Sequence, residues 1–242
     1  MKQLLDLFCG AGGAAAGYHL AGFEVTGIDI TEQPNYPYKF IHADALEADI
    51  SGYDAIHASP PCQGYCWSTT KPRAKGKTYP DLIEPVRGIL IASGKPYVIE
   101  NVPTAPLINP TYLEGTMFGL NVIRRRGFET NWWLPQPRFR PRKRPIMQAS
   151  KQDPDKLLQK SAYCTVAGNG ADSWSCRVAD WRVAMGISWM TREEIKQAIP
   201  PAYTEHIGRH LMGALNLIPS NSRVLKPSII SATQCYQAGS FW

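Results

Sequence analysis

The sequence predicts an α/β fold built on a doubly wound, mostly parallel sheet. Three observations carry this. Short apolar runs alternate with turn signals and helical stretches through the first hundred residues, a strand–helix–strand rhythm. A glycine turn, Cys9-Gly10-Ala11-Gly12-Gly13, follows the first run directly and opens a helix. The residues with chemical promise fall just after apolar runs, at the carboxyl ends of strands where ligands of such sheets bind.

In chain order, Leu4 to Phe8 reads as the first strand and Ala14 to Ala21 as a helix closed by Gly22. Phe23 to Asp29, Phe40 to Asp44 and Ala55 to Ala58 are the next three strands. A helix over about Asp81 to Ser93 tolerates Pro85 because a first turn has no use for that N–H. Pro96 to Asn101 is the fifth strand. From Asn131 to Asp180 the texture is irregular, broken by Pro135, Pro137, Pro141 and Pro145 among Trp132, Trp133 and Phe139. Helices return at Thr191 to Gln197, where Thr191 and Glu194 fit a capping box, and from Thr204 to about Leu217. No internal repeat is visible. This divides the chain into a core over 1–130, a small region over 131–180, C-terminal helices over 181–218 and a tail over 219–242.

At 242 residues the chain is long enough for a real core. No apolar run is long enough to cross a bilayer and the N-terminus lacks the regions of a secretion signal, so a cytoplasmic protein is expected. The formal net charge, +6, is mild, but it is clustered. Lys71, Arg73, Lys75 and Lys77 form one group, Arg124, Arg125 and Arg126 a second, and Arg138, Arg140, Arg142, Lys143 and Arg144 a third. Such clusters either neutralise phosphates or form a solvated basic face. There are six cysteines, without other signs of secretion. Cys62 and Cys66 have the spacing of half a zinc site, but no second close Cys or His pair accompanies them, so no metal is expected.

Three positions carry candidate chemistry. The turn Asp6-Leu7-Phe8-Cys9-Gly10-Ala11-Gly12-Gly13 lets a ligand approach the backbone closely at a helix N-terminus. Asp29, ending the second strand, can accept hydrogen bonds from ribose hydroxyls. Asp44, after the third, can accept one from an adenine amino group. Pro60-Pro61-Cys62-Gln63 follows the fourth strand, placing a cysteine at the same sheet edge, and the long basic segment Gln63 to Tyr79 reads as a closing loop. Glu100, at the end of the fifth strand, becomes a proton donor if burial raises its pKa; taken alone, it reads as a solvated or paired carboxylate.

Together these residues resemble the C5-cytosine DNA methyltransferases. Asp-Leu-Phe-Cys-Gly-Ala-Gly-Gly at 6–13 is similar to the family's cofactor motif, Pro-Pro-Cys-Gln at 60–63 to its catalytic motif and Glu-Asn-Val at 100–102 to its glutamate motif. Arg124 and Arg126 take the two places of its spaced-arginine motif, and all four occur in the family's order. The resemblance covers most of 1–130 and resumes loosely from Trp181 to Leu211. It implies S-adenosyl-L-methionine as cofactor, held by Asp6, Phe8, Cys9, Gly10, Ala11, Gly12, Gly13, Asp29, Ile30, Asp44, Ala45, Pro60 and Tyr203. It implies Cys62 as nucleophile at cytosine C6, with Glu100, Arg124 and Arg126 supporting the base, and a partner in double-stranded DNA whose target base is flipped out. Gln63, Ser68, Arg73, Arg138 and Arg140 are the expected DNA contacts, 131–180 the target-recognition region, and a monomer the expected state. Cytosine C5 in transfer RNA is the alternative substrate, and a non-catalytic DNA-binding protein the alternative class. The chain departs from the family pattern in three places: Val122 stands where glutamine opens the arginine motif, Ala198 to Tyr203 replaces a Gly-Asn pair, and the recognition region is short.

Overall fold

The computed structural model of the protein describes residues 1–138, 164, 166 and 177–217. Arg140, most of the expected recognition region and the tail over 219–242 lie outside them. One seven-stranded sheet organises the chain. Its strands are β1 (Lys2–Leu7), β2 (Phe23–Asp29), β3 (Lys39–His42), β4 (Ala55–Ala58), β5 (Tyr97–Asn101), β6 (Thr111–Leu113) and β7 (Arg126–Thr130), in the order β3-β2-β1-β4-β5-β7-β6. The first five run parallel; β7 pairs antiparallel with β5, and β6 antiparallel with β7. The sequence did not predict β6 or β7. β6 is only three residues long, and β7 carries Arg126 and Glu129 among its five, which masks its apolar alternation.

Successive side chains of a strand point to opposite faces, and both faces here are covered. Leu4, Val25 and Val98 pack under α1 (Gly13–Leu20) and α6 (Pro201–Leu217). Leu5, Leu7, Ile28, Ile56 and Ile99 meet Val86 and Leu90 of α3 (Ile83–Ser93) on the other face. Pro85 sits in the first turn of α3, as expected, and Gly94 ends that helix in the left-handed conformation with φ 66°.

α1 and α6 approach very closely. A Cβ on Gly17 would lie 2.0 Å from the Pro201 carbonyl oxygen and 2.1 Å from Thr204 Oγ1. The Thr204 hydroxyl donates to the Ala14 carbonyl at 2.8 Å inside this seam. Between α3 and β7, the Arg87 guanidinium makes a two-pronged pair with Glu129, both N–O distances 2.8 Å. Both groups are buried, and Glu129 also accepts the Ile108 N–H. This satisfied pair is how a charged strand lies inside the sheet.

The C-terminal part contains α4 (Val178–Met185), α5 (Arg192–Gln197) and α6. The Thr191–Glu194 capping box is present. α6 starts at Pro201 rather than Thr204, because proline suits a first helical position. Trp181, Met185, Met190 and Ile195 pack with Ala11 of the glycine turn, so this part closes over the carboxyl edge of the sheet.

Candidate active site

Parallel register sets the site. Asp6 lies opposite His57 and Leu7 opposite Ala58, while Ala58 lies opposite Ile99. The carboxyl ends of β1, β4 and β5 are therefore level. β1, with β2 on one side and β4 on the other, is where the strand order switches direction, and clefts form there.

The glycine turn is a cradle. Phe8 has φ 57°, a conformation that costs a non-glycine residue of order 1 kcal/mol. Gly10 and Gly12 also have positive φ. Gly13 must be glycine because a Cβ would lie 2.8 Å from the Ile199 carbonyl oxygen and 3.0 Å from Ala198 Cβ. The segment standing in for the family's Gly-Asn pair thus packs directly on the turn. Asp29 is fixed by the N–H groups of Gly10 and Thr31, at 3.0 and 2.9 Å. Ile30 beside it is 68% exposed. Asp44 accepts the Leu46 N–H at 2.9 Å, and Ala45 is buried. Cys9 is also buried, its thiol pushed up by desolvation.

Asp6 is fully buried, and neither carboxylate oxygen makes a well-aligned hydrogen bond with a described residue. Burial, then Asp29, hold its pKa well above the usual range, with the Ala15 N–H opposing. A buried orphan acceptor beside a backbone cradle fits a ligand that brings a cation or donor.

Cys62 is half-buried just beyond β4. The Pro60 carbonyl accepts from Asn101 Nδ2 at 2.9 Å, tying the loop to the end of β5. Glu100 is buried, with Arg126 Nε 3.1 Å from its Oε1. Arg126 reaches it because antiparallel β7 begins where β5 ends. That Oε1 is buried and has no well-aligned hydrogen bond among the described residues. Desolvation raises the Glu100 pKa, opposed by Arg126, Arg124 and the Ser59 hydroxyl.

Ser59 ends a chain the sequence did not reveal. Tyr18 Oη lies 3.0 Å from His57 Nδ1, and His57 Nε2 lies 2.9 Å from Ser59 Oγ. Burial drives the His57 pKa down to about 3, so the ring is neutral. With Tyr18 donating to Nδ1 and Nε2–H donating to Ser59, the serine hydrogen is free for Glu100.

Arg124 and Tyr203 are placed differently from the expectation. Arg124 is buried, donating to the carbonyls of Val166 and Lys196 at 2.9 and 2.6 Å. Burial and Arg126 lower its pKa to about 9, which leaves it cationic at neutral pH. Tyr203 is fully buried, and its hydroxyl donates to the Arg124 carbonyl at 2.8 Å. The pair stitches the C-terminal helices to the sheet edge, and Tyr203 is in the core rather than on an open cleft wall. Trp189, also missed in the sequence, clamps the turn by donating to the Ala11 carbonyl at 2.8 Å.

The segment after Cys62 is structured rather than a plain loop. A 3-10 turn over Trp67–Thr69 leads into α2 (Thr70–Ala74), and the Thr69 hydroxyl secures the carbonyls of Gln63 and Cys66. Gln63, Ser68 and Arg138 are exposed; Arg73 is half-buried and donates to the Cys66 carbonyl at 3.3 Å. Among the described residues, no helix is long and apolar enough to cross a membrane.

The strand order is that of the Rossmann-like fold typical of methyltransferases. Residues 2–110, which hold the glycine turn, the Pro-Pro-Cys loop and Glu100, match the family described as C-5 cytosine-specific DNA methylase. Over that stretch, a little under half of its length, the chain is similar to the cytosine-C5 methyltransferase family. Solved structures share its fold at low identity. An E. coli prophage-encoded protein assigned as a DNA modification methyltransferase is 14% identical, with a TM-score of 0.63 over 89% of this chain and 100% of that one. The Entamoeba histolytica methyltransferase EhMeth is 13% identical, with a TM-score of 0.56 over 89% of this chain and 99% of its own. The S. pombe Dnmt2 methyltransferase is 13% identical, with a TM-score of 0.55 over 89% and 100%. No curated protein gave a significant match.

Proposed function

We propose that this chain methylates carbon 5 of cytosine in double-stranded DNA, with Cys62 as nucleophile and S-adenosyl-L-methionine as donor. The observation that carries the reading is the Cys62–Glu100–Arg126 cluster beside the glycine turn at one sheet edge. The donor, used across the family, supplies a methyl group activated on a sulfonium. Asp29 would take the ribose hydroxyls, Asp44 and Ile30 the adenine, and the turn over 8–13 with Asp6 the amino-acid end.

C5 of cytosine is a poor nucleophile. Attack of Cys62 Sγ at C6 makes the ring an enamine, which is reactive at C5. Glu100 hydrogen-bonds N3 and the exocyclic amine, and its raised pKa favours holding a proton at N3. Arg126 fixes Glu100 and faces the carbonyl side of the base. Arg124 acts from behind, holding the strand end that carries Arg126. After transfer a base removes the C5 proton and Cys62 is expelled. The target atoms are stacked inside a duplex, so the base must leave the helix. Gln63, Ser68 and Arg73 lie on the loop that would meet the DNA, with Arg138 and Arg140 as further phosphate contacts.

Bisulfite sequencing of DNA from cells expressing the protein tests this. The wild type should yield protected cytosines in a short sequence context, and Cys62→Ser none. Protection that persists in Cys62→Ser would sink the assignment of the nucleophile. Label transfer to tRNA but not to duplex DNA would move the reaction to the other substrate.

A further inference from the structure

The pair Cys62 and Cys66 has the spacing of half a zinc site, yet among the described residues no group of three or more His, Cys, Asp or Glu could hold a metal. The pair is nonetheless closely built. The Cys66 N–H donates to the Cys62 carbonyl at 3.0 Å, closing one turn. The two sulfurs lie 3.2 Å apart, and both cysteines are free and half-buried. A disulfide bond is about 2.05 Å long, so the sulfurs have only about 1.2 Å left to close. Cys9 and Cys164, by contrast, are buried.

We propose that Cys62 and Cys66 form a reversible redox pair, in which a peroxide closes a disulfide between them and withdraws the nucleophile from methyl transfer. The closure rests on the geometry of the pair; its effect on transfer rests on reading Cys62 as the nucleophile. The step balances with the peroxide as oxidant. One thiolate attacks a peroxide oxygen: the S–O bond forms, the O–O bond breaks, and the leaving hydroxide takes up the thiol proton to become water. The neighbouring thiol then attacks that sulfenic sulfur: the S–S bond forms, the S–O bond breaks, and a second water leaves. Two thiols and one peroxide thus give one disulfide and two waters, and either sulfur can take the first step. A dithiol reductant reverses the bond by exchange.

The backbone around the pair is tied down. Asn101 Nδ2 holds the Pro60 carbonyl ahead of Cys62, and the Thr104 hydroxyl donates to the Tyr65 carbonyl at 2.8 Å. The Cys66 carbonyl accepts from Thr69 Oγ1 at 2.8 Å and from Arg73 Nη2 at 3.3 Å. The two sulfurs are therefore kept near each other, which favours closure of the pair over exchange with a separate thiol. Arg126 at the start of β7, Arg73 on α2 and the buried Arg124 favour an anion on the pair, while Glu100 on β5 opposes one. A thiolate is the form that attacks peroxide. Neither residue is sealed in the core as Cys9 and Cys164 are.

Peptide mass spectrometry of the full chain tests the closure without DNA or methyl donor. After hydrogen peroxide and then iodoacetamide, the peptide carrying both cysteines should be lighter by two hydrogens and unlabelled. Dithiothreitol added before the iodoacetamide should restore a label on each cysteine. Labels on both cysteines after peroxide alone, or Cys62 carried straight to sulfinic acid, overturn the proposal. In Cys66→Ser and Cys66→Ala alike, Cys62 lacks its partner, so peroxide should drive it to sulfinic acid that dithiothreitol does not reverse. Equal recovery of the Cys62 label in the wild type and both variants also overturns the proposal. With the target sequence in hand, peroxide should abolish transfer by the wild type and dithiothreitol should restore it, whereas neither Cys66 variant should recover. No disulfide alongside loss of transfer in Cys62→Ser would refute only this inference; a closed disulfide with transfer undiminished would refute the nucleophile itself.

Discussion

His57 shows how one side chain couples the core to the site. It lies in the middle of β4, fully buried, with both ring nitrogens engaged. Its folded pKa, about 3, is below the ordinary value of 6.5. The folded state therefore resists the proton that the unfolded chain accepts. The contribution to stability is present above the unfolded pKa and is lost as pH falls from there toward the folded one. Over that window the loss is about 1.4 kcal/mol per pH unit at most. Asp6 and Glu100, whose carboxyl pKa values are raised, act in the opposite sense. The comparison must therefore isolate His57. Urea denaturation at pH 7 and pH 5 should show a larger acid loss for the wild type than for His57→Gln. Equal losses would mean that the ring already takes the proton in the folded state.

At the scale of elements, the seam between α1 and α6 carries the heaviest demand. Gly17 has Pro201 and Thr204 where a side chain would begin, and a Cβ on Gly208 of α6 would lie 2.7 Å from Ala21 Cβ. Backbone atoms cannot swing aside as a flexible side chain can. Gly17→Ala should destabilise the fold by about 1–3 kcal/mol despite the better helix propensity of alanine. A lowered denaturant midpoint with an unchanged slope is the expected reading; an unchanged midpoint would mean that the helices separate freely. A second consequence concerns the site. Thr204 and Tyr203 lie in this part of α6, and Tyr203 holds Arg124. Displacing the seam should therefore also weaken methyl transfer, although no residue of it belongs to the proposed chemistry.

Taken whole, the molecule closes one sheet edge with its own C-terminal helices and presents basic residues beyond Cys62. The proposed DNA partner should be held partly by Lys71, Arg73, Lys75 and Lys77. Each phosphate contact contributes about 0.9 to the slope of log K against log salt. Replacing Lys71, Lys75 and Lys77 together by glutamine should flatten that slope by up to about 2.7. A titration of duplex binding against salt measures it, and an unchanged slope would place the DNA elsewhere. Arg73 is left out because it also braces the Cys66 carbonyl.

The first five strands along the chain, the glycine turn, the capping box at Thr191 and the placement of Cys62 and Glu100 at strand ends were legible in the chain, because each depends on residues close in sequence. Turns need glycine, caps need a hydroxyl, and buried parallel strands need apolar runs. Contacts between distant segments were not legible. β7 hides its charge by pairing Glu129 with Arg87, and its antiparallel course brings Arg126 to Glu100. Tyr18, His57 and Ser59 read as ordinary core and loop residues until α1 is laid on β4. Arg124 and Tyr203 looked like ligand contacts, but the fold turns them toward each other and toward backbone carbonyls. The sequence by itself determined which chemistry is present. Tertiary structure decided which groups bear on Glu100 and Cys62, because pKa and reach depend on burial and on neighbours that only folding brings together.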